Sequence, residues 1–122
     1  MSVTMDGIEA HLAGLESVWE SGMREVYAYY RHLAAPPVAL AAAMVESALE
    51  LQTAEGRPPG PGHLLLGDLC LARASRLLAE TRDQRLQIGF ARAVEHVASA
   101  AAGGQPAAPL RGLLAAAVGL VE

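Results

Sequence analysis

The segment Gly62-His63-Leu64-Leu65-Leu66-Gly67-Asp68-Leu69-Cys70-Leu71-Ala72-Arg73-Ala74-Ser75-Arg76-Leu77-Leu78-Ala79-Glu80 decides how the chain is read. It follows a Pro/Gly run, Arg57-Pro58-Pro59-Gly60-Pro61, that cannot be helical throughout, and it ends in the charged stretch Glu80 to Arg85. At about 100° per residue, Leu64, Leu65, Leu66, Leu69, Cys70 and Leu71 point in all directions around one helix. A helix that is apolar on every side wants neighbours on every side. One strip differs. Asp68, Ala72, Ser75 and Ala79 follow one another at i+4, i+3 and i+4, so a small and polar line runs down one face and lets a second helix approach closely.

Upstream, the reading is again helical. Val38 to Ala54 forms a helix whose first half, Val38 to Val45, has no charge, and whose second half leads to Glu46, Glu50 and Glu55. Glu46 and Glu50 share a face one turn apart. They read either as a solvated face or as a pair able to hold a cation or exchange protons. Pro36-Pro37 separates this helix from a first one, because a residue before proline is pushed out of the α region while proline itself fits a first helical turn. That first helix is expected over residues 5 to 33. Its seam, Ile8, Leu12, Leu15, Trp19, Gly22, Val26, Tyr29 and Leu33, steps by four and three. Gly22 is its weak point, Thr4 or Ser2 its N-cap, and Glu16, Glu20 and Arg24 can pair at i+4. Tyr27, Tyr29 and Tyr30 are the only aromatic cluster. They read as packing at a helix end or as a partner surface.

Downstream, Thr81 with Gln84 matches a capping box and opens a helix over Asp83 to Ala102. Its stripe is Leu86, Phe90, Ala93, Val94, Val97 and Ala101, and Arg92 and Glu95 can pair along it. Gly103-Gly104 stops it. Pro109 then starts a last helix, Leu110 to Val121, with Arg111 as its one charge before Glu122. The expectation is one all-α domain over residues 1–122, an antiparallel bundle of about five helices.

Composition agrees. The chain has 122 residues, 52% of them hydrophobic and only 4% aromatic. Alanine, the best helix former, supplies much of the apolar share, and no stretch alternates as a half-buried strand would. The net charge of −4, without a basic cluster, argues against a nucleic-acid partner. All nine basic residues are arginine. A single cysteine permits no intrachain disulfide and fits a cytoplasmic protein, and Cys70 among leucines reads as a small core residue. No basic n-region precedes an apolar run, so no signal peptide is expected. No run reaches the ~20 residues of a membrane span.

The central segment also resembles a known family. Leu66-Gly67-Asp68-Leu69-Cys70-Leu71-Ala72-Arg73-Ala74 is similar to the x-G-D-x-L-L-A-x-A segment of trans-polyprenyl diphosphate synthases, with Cys70 in place of a leucine. Gly56-Arg57-Pro58 is similar to the end of their Arg-Arg-Gly-x-Pro loop, and the likeness covers residues 38 to 103. A complete synthase is much longer, so the resemblance implies a fragment of the isoprenoid synthase fold. It also implies a lost active site. Active members carry Asp-Asp-x-x-Asp at the end of the preceding helix, where magnesium holds the substrate diphosphate. Counted back from Gly56 by the family's spacing, this sequence has Val45-Glu46-Ser47-Ala48-Leu49 there, or Glu50 and beyond if a loop is deleted, in neither case an acidic pair. It has Ala54 and Glu55 where the loop's arginines would stand.

Other chemistry finds little support. His11, His32, His63 and His96 show no i, i+4 spacing with one another, and no Glu-x-x-His occurs, which disfavours a ferritin-like metal site. There is no nucleophile elbow. The loop between Gly56 and Gly62 has no lysine, and its prolines remove N–H groups, so it is no phosphate cradle. The central helix, the charge-free half of its predecessor and the last helix hold more apolar surface than a five-helix monomer readily hides, which points to a partner.

The expectation is therefore a non-catalytic accessory subunit of a long-chain polyprenyl diphosphate synthase, of the hexaprenyl or heptaprenyl kind. It would bind no cofactor itself. Its partner would be the large catalytic subunit, which the resemblance implies carries the aspartate motifs and magnesium. The accessory chain would help set product length, with the isoprenoid tail in contact with its helices. Leu65, Asp68, Leu69, Ala72 and Ser75 are the expected interface. The alternative is a stand-alone homodimeric interaction protein, and a third reading is a bundle that binds a small molecule.

Overall fold

The computed structural model describes residues 7–52, 61–103 and 109–119. Among them there are five helices and no strand. A 3₁₀ turn, Glu9–Leu12, leads into α1, which has three parts: α-helix Glu16–Val18, a π-helical turn Trp19–Met23 and α-helix Arg24–Arg31. Then come α2 (Pro36–Gln52), α3 (Pro61–Thr81), α4 (Gln84–Ala102) and α5 (Leu110–Gly119). The all-α reading holds, and the boundaries of α2 to α4 fall within two residues of those expected. The expected caps Ser2 and Thr4 lie outside the described residues, as do Ala54, Glu55 and the Gly56-Arg57-Pro58 loop.

The first helix departs from its expectation twice. Gly14 takes a left-handed backbone, φ 84°, which breaks the helix before Leu15. A glycine does this without the penalty a Cβ would bring. Glu16 accepts the Gly14 N–H at 3.0 Å. Farther on, the backbone leaves helical geometry at Gly22 inside the π turn. A π turn holds one residue more than an α turn, so every later side chain shifts along the face. The seam continues through Trp19, Met23, Tyr27 and Tyr30, all buried, in place of Gly22, Val26, Tyr29 and Leu33. Tyr29 and Leu33 are exposed.

The centre of the molecule is α2. Ala39, Leu40, Ala41, Ala42, Ala43, Met44, Val45 and Ala48 are all buried, on every side of the helix. Its most extensive contact is with α3, followed by α1, with α5 touching it as well. The alanines explain this. They add no bulk between helix axes, so Gly67, Cys70 and Ala74 of α3, all buried, can come close. Leu114, Ala117 and Val118 of α5 are buried too, and its exposed positions are Arg111, Gly112 and Ala116. Among the described residues, the charge-free half of α2 and the last helix therefore leave no large apolar side chain exposed, contrary to expectation. The exposed large ones are Tyr29 and Leu33 on and after α1, Leu64 and Leu65 on α3 and Ile88 on α4.

Local hydrogen bonds fix the ends. Arg73 of α3 donates from Nη1 to the carbonyl of His11 at 2.9 Å and to that of Ala13, tying the N-terminal turn to α3. The α3–α4 corner turns at Arg82, which adopts φ 59°. The cap of α4 is Asp83: its Oδ1 accepts the Leu86 N–H at 3.1 Å. The expected Thr81–Gln84 box does not form there, because Thr81 Oγ1 donates to the Leu78 carbonyl at 2.6 Å and accepts the Asp83 N–H. Glu20 and Arg24 form the expected ion pair, which at this exposure contributes about 0.3–0.5 kcal/mol.

Candidate interaction surface

The two sides of α3 have opposite fates. Cys70, Ala74, Leu77 and Leu78 are buried on one side. On the other, Leu65 is 70% exposed and Leu64 43%. A helical step of about 100° places Leu65, Asp68, Leu69, Ala72 and Ser75 within one arc. Asp68, Ala72 and Ser75 are exposed, as is Ala79 farther along, while Leu69 is half-buried. Leu69 lies at the edge of the arc, 3.5 Å from where a Cβ on Gly14 would stand. Among the described residues no helix covers the strip, so α3 is not surrounded there as its leucines suggested.

Beside the strip runs a groove between α3 and α4, floored by Val45 of α2. It is open to solvent, with a volume of about 540 Å³. Leu71, Leu78, Phe90 and Val94 give it apolar walls, and Ser75, Gln87 and Glu95 give it polar points. It exists because α4 packs mainly on α5 and touches α3 only lightly. Ile88, one turn before the groove residue Ala91 on the same side of α4, is 49% exposed. Sequence reading overlooked Ile88 and Arg76. The signal for Ile88 was available: it lies off the buried stripe of its own helix.

Glu46 and Glu50 do not share one role. Glu46 accepts the Tyr30 hydroxyl at 2.9 Å and two bonds from Arg111, Nη2 at 2.6 Å and Nε at 3.3 Å. The Arg111 guanidinium also lies 4.7 Å from the centre of the Tyr29 ring. This cluster clamps the start of α5 to α1 and α2. Burial first, and then the Glu46 carboxylate, hold the Tyr30 hydroxyl well above its ordinary pKa. Glu50 instead lines a smaller hollow of about 240 Å³ with Ser21, Ser47 and His63. The tyrosines work in packing: Tyr27 meets Trp19 at 5.6 Å between ring centres, and Tyr29 stands edge-on to Tyr30. Burial pushes the Cys70 thiol up to about 11, so at neutral pH it is a protonated core group rather than a nucleophile.

Among the described residues no three His, Cys, Asp or Glu side chains stand together as a metal site, and no helix is long and apolar enough to cross a membrane. No family model, curated protein or solved structure matches the chain.

Proposed function

We propose that the protein is a non-catalytic helical subunit that works by docking the exposed face of α3 on a partner. The observation behind this is the pair of outward leucines, Leu64 and Leu65, beside an apolar groove. A continuous apolar surface of this kind marks an interaction site. The Gly67-Asp68 segment lies on this same helix. Its resemblance makes the partner the large, magnesium-binding subunit of a cytoplasmic long-chain polyprenyl diphosphate synthase.

In this reading the carboxylate chemistry belongs to the partner. The carboxylate nearest to the family's aspartate position, Glu46, is engaged by Tyr30 and Arg111, which would compete with any cation for its oxygens. The contribution of this chain is cover. A growing isoprenoid tail must leave water, at about 0.8 kcal/mol per buried CH₂. Leu71, Leu78, Phe90 and Val94 offer it an apolar wall.

The test is co-expression with an aspartate-motif synthase subunit, followed by size-exclusion chromatography and a prenyl-transfer assay with allylic and isopentenyl diphosphates. A complex active only with both chains, and lost in Asp68→Lys, supports the reading. Val94→Phe, which narrows the groove, should then shorten the product. If the chain leaves the synthase's activity and product length unchanged, the reading fails.

A further inference from the structure

We propose that the exposed face of α3 also pairs with itself, as an antiparallel homodimer about a two-fold axis at Ala72. The inference rests on the reading that this face is the docking surface. A two-fold interface must be self-complementary: residue i meets j, and j meets i. With Ala72 on the axis, residues equally far before and after it meet. Asp68 meets Arg76 of the second copy, and Leu65 meets Ala79 of the second copy. Asp68, Ala72, Arg76 and Ala79 are all exposed, and Leu65 is the most exposed large apolar side chain described. Opposite charges therefore face each other twice, and each bulky leucine faces a small residue.

Other arrangements lack this match. A parallel pairing sets Asp68 against Asp68 and Arg76 against Arg76, and like charges opposed across an interface disfavour it. Sliding the antiparallel pair to an axis at Ala74 sets Asp68 against Glu80, and Ala74 is itself buried against the rest of the chain. Antiparallel packing also brings the positive end of each helix dipole beside the negative end of its neighbour. The homodimer covers Leu65 in the free chain, and a synthase subunit that uses the same face must displace it.

The test uses the whole chain alone. Sedimentation should show a dimer. Ala72→Cys should form a disulfide-linked dimer on mild oxidation, because only a residue on the axis meets its own copy, while Leu65→Cys should not link to itself. Asp68→Arg and Arg76→Asp should each raise the dimer dissociation constant roughly tenfold or more, and the two together should restore it, with far-UV circular dichroism unchanged throughout. A chain that is monomeric at high micromolar concentration overturns the proposal. So does self-linking at Leu65→Cys, or failure of the double variant to recover. A monomer that still activates the synthase overturns self-pairing alone. A dimer that ignores the synthase overturns the functional reading and leaves the pairing intact.

Discussion

Helices α2 and α3 are both strongly apolar, lie against each other and end up with different tasks. The buried apolar residues of α2 are mostly alanine, and neighbours close over them on all sides. Those at the start of α3 are leucine, and two of them face solvent. Side-chain size explains the division. Small residues let several helices converge on one axis, while bulky ones hold neighbours apart and leave surface to spare. One helix holds the fold together, and the other keeps an exposed face, the proposed docking surface.

The comparison is broken most forcefully in α2. Leu40→Ala, in a site with no exposure, should destabilise the protein by about 2–5 kcal/mol in urea unfolding. Leu65→Ala on α3, measured at a concentration where the chain is monomeric, should change stability by less than about 0.5 kcal/mol. Similar losses at both positions would remove the distinction. The next effect concerns the clamp that seats α5 against α2. Glu46→Ala should cost about 1–2 kcal/mol by releasing Tyr30 and Arg111, and hydrogen exchange should quicken first in Leu110–Gly119.

Alkaline pH should weaken the buried side and spare the exposed one. Cys70 and Tyr30 both have folded pKa values above their ordinary ones. A raised folded value means that the folded state holds its proton longer than the unfolded chain. Their stabilisation is full below the ordinary values and is lost as pH rises beyond them. Thermal stability should therefore begin to fall above about pH 9, with Cys70 first and Tyr30 following above about pH 10. Cys70→Ala should flatten the first part of that fall. The smallest effect is a gain. Arg82 holds φ 59° at the end of α3, a conformation that glycine adopts without strain, so Arg82→Gly should stabilise by up to about 1 kcal/mol.

Much of the fold was legible because its signals are local. Pro36-Pro37 and Gly103 punctuate the helices where sequence places them, and the alanine-rich composition leaves no room for strands. What was hidden depends on contacts between distant segments. The seam of α1 continues smoothly through Leu12, Leu15 and Trp19, so nothing in its spacing announces the break at Gly14 or the extra residue of the π turn. Asp83 takes the cap because Thr81 is drawn to the Leu78 carbonyl, a competition that a motif match does not see. The strip Asp68, Ala72, Ser75 was visible as a pattern. That no helix among the described residues covers it was not, because α4 leans toward α5. The groove was equally hidden, since it is built from residues of three helices.

The central claim is that the outward face of α3 binds while the rest of the chain holds the fold. Native mass spectrometry of the wild-type chain and of Leu65→Glu, each co-expressed with an aspartate-motif synthase subunit, tests it most directly. The account predicts a heteromeric complex with the wild type, and with the variant a folded, unbound chain of unchanged far-UV circular dichroism. A variant that assembles as well as the wild type, or a wild type that never joins the complex, would contradict it.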